Sequence, residues 1–491
     1  MEFISKKALD EAFMLLIDRY KEAEDSTAES PKYVSENGRM LLFEHKGYTG
    51  VLSWFRENYK EDDEIQKVLD EGVKTVTREE KNEQISAALV NGVNETITEG
   101  ENYKNWLKCC SKFPKYSFNN TMLIHIQKPD ASHVCGYQQW INDFERHVKK
   151  GEKGITIYAP VFIKKKFNQP VEDASGHYIQ NADGTIKTEE ITKQYTSFKA
   201  ISVFDVSQTE GKELPSICKE LEGDVKDFDE LIKAAKAASP APIEMVDGAE
   251  LNGAKGCYIP SKRVINVAKD MSEMQTFKTL THEIAHARLG HGESDCNLSR
   301  QEKELQAESV AFIVCANLGI DTSDYSFEYL SSWSMGETDQ MMDLMADIQS
   351  TANSIVKDIS LNRSPELRME YYENLWDNRS DKPLIAIFQL PDDHDFAFMS
   401  YEDMVDGGYM PSIGDFELKY VEEDKLDKDL EQIYMELNSD ERPNADSMRS
   451  LSVGDVVIKH VDSEDNVFMV DAYGFSRVEG FEENRSLGRA R

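Results

Sequence analysis

The chain has no Cys-x-x-Cys pair, and its seven cysteines are odd in number, with none after Cys315. That excludes a disulfide framework and a zinc site built on cysteine pairs, and it fits free thiols in a reducing cytoplasm. Histidine is scarce as well, with 10 in 491 residues, so any clustering of it is informative. No apolar run approaches the roughly 18 residues at which a membrane span is read. The apolar stretch Ala12 to Ile17, behind Asp10 and Glu11, is too short and wrongly flanked for a secretory leader. Net positive charge is absent overall: the formal charge is −35, which taken globally argues against non-specific binding to nucleic acid or anionic membranes. Apolar content is not lacking, since 40% hydrophobic residues are enough for real cores. The length implies about three domains.

The acidity is uneven. Between Glu101 and Pro170 there are twelve Lys and Arg against five Asp and Glu, a net of +7 that leaves −42 for the rest of the chain. The same stretch carries Tyr103, Trp106, Phe113, Tyr116, Phe118, Tyr137, Trp140, Phe144 and Tyr158. Cations that follow phosphates, interleaved with rings on which bases stack, are what single-stranded nucleic acid requires of a protein. The candidate contacts are Lys112, Lys115, Tyr116, Phe118, Asn119, Asn120, Gln127, Trp140, Lys149, Lys150 and Lys153. Trp106, Trp140 and Phe144 lie on helical-looking stretches and also read as core. The periodicity predicts a helix over 134–148. A basic turn follows, Lys149 to Gly154, with two glycines for positive φ, and then a half-buried strand in which Ile155, Ile157, Ala159 and Val161 alternate.

The sharpest chemistry lies at Thr281-His282-Glu283-Ile284-Ala285-His286. On a helix, His282 and His286 project from one face one turn apart and can hold one Zn²⁺, while Glu283 stays free to take a proton from water. Ser272 is a natural N-cap and Gly290 a natural stop for this helix. Three strand-like runs precede it: Ile243 to Val246, Cys257 to Ile259 and Val264 to Val267. A third ligand must come from elsewhere. His291 does not fit the long metzincin pattern, which wants His at 292 and Gly at 289, where this chain has Gly and Leu. The next predicted helix, Arg300 to Leu318, offers Glu304 and Glu308 one turn apart. The resemblance of this arrangement to glutamate-ligand zincins implies Glu304 as the ligand and Glu308 as its supporting acid, with the reverse assignment left open.

The remaining chain divides by composition. Residues 1–80 form an acidic helical region with a stripe of Leu9, Ala12, Phe13, Leu16 and Ile17. A connector, 216–242, ends at Ser239-Pro-Ala-Pro242. A long helix from Thr338 to Ile359 closes the 243–360 region, and 361–381 reads as a charged helical linker. Alternating strands from residue 382 onward (Leu384 to Leu390, Phe396 to Tyr401, Phe416 to Val421, Val453 to His460, Val467 to Ala472) make a small C-terminal domain.

Three resemblances attach to these motifs. The run Tyr116-Ser-Phe-Asn-Asn120, Leu123-Ile124, Gln127-Lys-Pro-Asp-Ala131, Gly136-Tyr137, Trp140 and Val148 to Ile155, closed by Val203 to Gly211, resembles the N-terminal single-stranded-DNA-binding domain of ArdC-type antirestriction proteins, over residues 81–215. The polar insert 168–196, with a hairpin turn at Asn181 to Thr185, departs from that pattern. Strands leading into a His-Glu-x-x-His helix resemble the zincin peptidases, whose glutamate-ligand members take the third ligand from a downstream helix. Glu304-x-x-Ala307 with Ala311-Phe312 resembles the ImmA/IrrE-type and ArdC-type metallopeptidase helix. Ser450 to Val457 and Val470 to Phe475 resemble the YodL-like accessory domain of mobile-element proteins. Together these imply an α+β, multi-domain cytoplasmic protein of a conjugative or other mobile element. It would consist of a basic single-stranded-DNA-binding domain, a zincin-like metallopeptidase domain and an accessory domain. Single-stranded DNA and a host protein or peptide substrate are the implied partners, with no membrane. Two alternatives remain open: a DNA-binding protein whose zinc is structural or idle, and a regulatory peptidase whose basic domain binds protein.

Overall fold

The computed structural model describes the chain apart from residues 23–35, 172–178, 180, 182–185, 215–224, 252, 294–295, 321, 323–324, 326, 328–337, 381, 425–426, 440–441, 445–446 and 479–491. The fold is mixed α and β and divides into two compact units, one of residues 1–223 and 244–354, the other of 224–243 and 355–491. The turn expected at Asn181 to Thr185 lies largely outside the described residues. No described helix is long and apolar enough to cross a membrane, and the described cysteines, all but Cys218, are free thiols.

The first unit begins with helices Lys6–Glu22, Glu36–Asn58 and Asp63–Thr75. The expected stripe is realised: Leu9, Ala12, Phe13 and Leu16 pack with Val51, Leu52, Phe55, Ile65 and Leu69. Gly72 permits the closeness, because a Cβ there would stand 2.2 Å from that of Ala8. Helices Arg78–Ile97, Gly100–Lys112 and Phe118–Gln127 follow.

The helix expected over 134–148 is not formed. In its place stand a strand, Val134–Gly136, a short helix, Tyr137–Asn142, and a second strand, Arg146–Val148. The helical spacing of Trp140 and Phe144 is real, and their rings meet at 5.1 Å. The backbone on either side is claimed by distant partners: Val134 pairs with Asp205 and Val148 with Thr209. Asp205 ties the junction, its carboxylate accepting from the backbone N–H groups of Ser132, His133 and Ser207. Strands Ile155–Pro170 and Thr188–Asp205 form a long antiparallel ribbon, and Thr188–Asp205 is the central strand of its sheet. In the basic turn only Gly151 uses positive φ, at 92°. Gly154 serves close packing instead, since a Cβ there would meet the Ser202 Cβ at 2.7 Å.

The second half of this unit follows expectation closely. Strands Ile243–Val246, Gly256–Ile259 and Val264–Ala268 form a sheet with Val264–Ala268 in the middle. Helices Glu273–Arg288 and Arg300–Asn317 come next. Helix Arg300–Asn317 packs on helix Gly100–Lys112: the Tyr103 and Ser309 hydroxyls are 2.9 Å apart, and Asn317 Nδ2 donates to Ser111 O at 2.7 Å. Helix Thr338–Arg363 supplies Gln349, whose Nε2 donates to Thr121 Oγ1 at 2.6 Å and Tyr116 O at 3.0 Å. The basic stretch and the His-Glu-x-x-His stretch are thus knitted by buried polar contacts.

The second unit is built on a five-stranded antiparallel sheet. Two of its three inner strands, Leu384–Gln389 and Val456–Val461, pair with each other. The stretch read as a linker instead contributes helix Pro365–Asp377, which buries Tyr372 and Trp376 in this core. The strand expected at Phe396 to Tyr401 is a set of turns with Phe398 at positive φ, and Phe396 stacks on Tyr409 at 4.5 Å. Asp455, fully buried, accepts from Gln389 Nε2 and Ser452 N at 2.8 Å each and pairs with Arg449. A final strand, Gly474–Arg477, pairs with Glu464–Asp471.

Candidate metal centre

The Ser272 side chain caps helix Glu273–Arg288 by accepting from Gln275 N at 3.3 Å. Phe277, Leu280, Ile284 and Ala285 anchor the buried face of the helix. This orientation brings His282 and His286 to one side, with their Nε2 atoms 3.1 Å apart. On the facing helix, Ser299 and Glu302 form a reciprocal capping box that sets the start. Two residues further on, Glu304 Oε2 reaches within 3.5 Å of His282 Nε2 and 3.8 Å of His286 Nε2. One donor atom from each of His282, His286 and Glu304 lies within 4.8 Å of the others. Glu308 stands elsewhere, its Oε2 3.3 Å from the other nitrogen of His282, Nδ1.

Two imidazole nitrogens and one carboxylate oxygen fit zinc, which takes N and O ligands readily and keeps a fourth position open in catalytic sites. The charges agree with such a load. Burial alone would lower the His282 pKa, but Glu304, Glu308 and Glu283 outweigh it and raise it to about 9. Hydrogen bonding to His282 and His286 holds the Glu304 carboxyl well below the usual range. The acidic cluster therefore draws positive charge, whether a proton on His282 or a divalent ion held by the triad.

Glu283 is buried beside the triad but outside it, 7% exposed. Burial raises its pKa against the pull of His282 and His286 and of a backbone hydrogen bond from Tyr258. Gly256 makes room for it: a Cβ there would stand 3.0 Å from Glu283 Oε1. A cleft of about 430 Å³ opens beside His282 and Glu283, walled by Lys255, Lys278, Thr279 and Tyr325.

His291, set aside above as a ligand, has a place all the same. The chain turns back through Gly290 and Gly292, with φ of 64° and 96°. This sets His291 Nδ1 2.7 Å from His286 Nδ1 and His291 Nε2 2.9 Å from Gln306 Oε1. The amide oxygen can only accept, so His291 Nε2 carries the hydrogen and its Nδ1 is a lone pair. That lone pair accepts from His286 Nδ1, so the other ring nitrogen, Nε2, is the one turned toward Glu304. Burial lowers the His291 pKa to about 4, which keeps the ring neutral. Sequence reasoning missed Gln306. The only signal was a histidine flanked by two glycines just past a helix end.

The candidate DNA contacts separate into two groups. Trp140 is fully buried and donates from Nε1 to Phe204 O at 2.9 Å; Phe118 is buried as well, so neither offers a ring face to a base. Asn120 pairs both ways with the backbone of Tyr158, and Gln127 does the same with Thr156, in the manner of extra strand rungs. Tyr116 donates its hydroxyl to Val134 O. Lys112, Lys115, Asn119, Lys149, Lys150 and Lys153 are exposed. Among these, Lys112 and Lys149 donate to Ala131 O and Ser207 O.

Comparison with known proteins adds a family context. Residues 63–204 match the profile described as the N-terminal domain of anti-restriction factor ArdC, and residues 384–481 match the YodL-like domain. An uncharacterised Bacillus anthracis protein is 26% identical over 331 residues, covering 62% of this chain and 55% of that protein. The chain thus spans about half the length of that curated relative. Two crystal structures of the antirestriction ArdC protein from plasmid R388, one metal-free and one Mn(II)-bound, are 21% and 20% identical. They cover 50% and 51% of this chain and 85% of theirs, with TM-scores of 0.32 and 0.30.

Proposed function

We propose that this ArdC-like chain is a single-stranded-DNA-binding antirestriction protein of a mobile element that carries a zinc-dependent peptidase centre. The observation that supports the chemistry best is the convergence of His282, His286 and Glu304 with Glu283 beside them. A zinc ion held by the triad would supply Lewis acidity toward a carbonyl and toward water. Glu283 takes a proton from the attacking water and returns it to the leaving amine, a task suited to a carboxylate whose pKa burial has raised. With His282 donating its Nδ1 hydrogen to Glu308 and His286 its own to His291, His282, His286 and Glu304 would hold the ion, each ring through Nε2. Strand Gly256–Ile259 is an edge strand beside Glu283, where an extended peptide can pair and lie across the cleft.

The His291–Gln306 pair gives a direct expectation. His291→Leu removes the acceptor for His286, and chelator competition should show metal affinity falling about 10- to 100-fold. His291→Asn restores an acceptor and part of the affinity. Unchanged affinity in His291→Leu would show that the pair does not orient the ligand.

The DNA reading rests on the exposed Lys112, Lys115, Lys149, Lys150 and Lys153 in an otherwise acidic chain. Titration of single- and double-stranded oligonucleotides across salt tests it. Preference for single strands, with a log–log slope of about −0.7 per phosphate neutralised, is the expected result. Absence of binding at low salt would sink it.

A further inference from the structure

The antiparallel ribbon of Ile155–Pro170 and Thr188–Asp205 is rooted in the first unit by Ile155, Ile157 and Val203, all buried. Farther out, its side chains have no core to enter. Phe162 is 63% exposed and Phe198 56%. In the register Phe162 faces Thr196 and Pro160 faces Phe198. The two rings are therefore diagonal neighbours on one face of the ribbon. Lys164 and Lys166 continue that face at the next alternate positions, about 7 Å apart along the strand. Lys166 pairs with Glu190 at 2.6 Å, whereas Lys164 meets no carboxylate among the described residues. The opposite face differs: Phe167 and Tyr195 pack together at 5.8 Å, a cross-strand contact that stiffens the ribbon itself.

An isolated two-stranded ribbon gains little by exposing two more phenylalanines to water. We propose that the Phe162–Phe198 face is a binding surface for single-stranded nucleic acid, with bases stacking on the two rings and phosphates meeting Lys164 and Lys166. The proposal rests on the single-strand-binding reading above and moves its stacking rings from the buried Phe118 and Trp140 to this ribbon. Charge complementarity favours this occupant: the face carries two lysines, of which Lys166 is paired with Glu190 and Lys164 meets no carboxylate among the described residues, in a chain of net charge −35. A second ribbon docking face to face would bring lysine against lysine, and an acidic protein would satisfy the cations but leave the rings without stacking partners.

The test uses the full chain and fluorescence anisotropy with a labelled single-stranded oligothymidylate and an abasic strand of the same length. The Phe162→Leu/Phe198→Leu double variant keeps apolar strand residues and removes the π faces. It should bind oligothymidylate about tenfold or more weakly and the abasic strand nearly as wild type does. Phe162→Tyr/Phe198→Tyr should restore binding. Lys164→Gln and Lys166→Gln should each reduce the salt slope by about 0.7. Wild-type affinity in the Leu variant would overturn the ribbon assignment and leave single-strand binding intact. Failure of the wild-type chain to bind either strand at low salt would overturn both. A Leu variant that changes only the sedimentation of the protein, from dimer to monomer, would make the face a self-docking surface and also overturn the proposal.

Discussion

Glu283→Gln should retain zinc at wild-type affinity and lose amide hydrolysis by about 10²- to 10⁴-fold, the usual contribution of a positioned general base. The substitution is nearly isosteric, and the amide oxygen can still accept the hydrogen bond from Tyr258 that the carboxylate receives. Gly256 leaves space for either group. What disappears is a base able to hold a proton between attack and departure of the amine. Metal content by mass spectrometry and cleavage of a peptide library separate the two functions of the site. The same variant carried into cells sorts the competing readings. If it protects incoming unmodified DNA as well as wild type does, hydrolysis is not the working part, and the metal holds structure for a DNA-binding protein. If protection and cleavage fall together, the peptidase is the effector. Retained cleavage would remove Glu283 from the mechanism altogether.

The parts of this molecule that were legible in its sequence are those whose determinants lie within about twenty residues. Ser272 and Gly290 bracket the motif helix in sequence and in space. The stripe from Leu9 to Leu16 needed only its own periodicity to be read as buried. The failures share one cause: the deciding partner is far along the chain. Val134 looked helical because Trp140 and Phe144 are helically spaced, yet its backbone answers to Asp205. Asn120 and Gln127 are polar residues in a basic stretch and read naturally as DNA contacts. Their amides instead complete the hydrogen bonding of Tyr158 and Thr156, strand residues 38 and 29 positions away. The Pro365–Asp377 helix is charged on its outer face and passed for a linker, because the sheet that buries Tyr372 and Trp376 comes later. Phe162 and Phe198, which flank the polar insert 168–196, were not read as a site for the complementary reason. A two-stranded ribbon without a core looks like surface, and only the register shows Phe162 and Phe198 sharing a face.

Glu304→Gln should cost metal affinity on the order of a thousandfold, and Glu308→Gln only about tenfold. Sequence alone favoured Glu304 as the ligand but left the reverse assignment open, since the two lie one turn apart on the same helix. The geometry distinguishes them by which imidazole nitrogen each approaches. Glu304 faces the Nε2 atoms of both histidines, at 3.5 and 3.8 Å, so it closes the donor triangle. Glu308 faces Nδ1 of His282 at 3.3 Å, the side turned away from that triangle, where a carboxylate orients the ring and makes it more basic. The magnitudes follow from the roles. Apparent zinc binding of about 10–16 kcal/mol, shared over four ligands, is roughly 2.5–4 kcal/mol each. At about 1.4 kcal/mol per decade this is some two to three orders of magnitude for a lost ligand. An orienting partner is worth about 10- to 100-fold. Calorimetric titration of each variant with zinc at fixed pH measures the difference. A larger loss in Glu308→Gln than in Glu304→Gln would exchange the two assignments. Equal small losses would mean that neither glutamate is a ligand and that the third donor must be sought elsewhere.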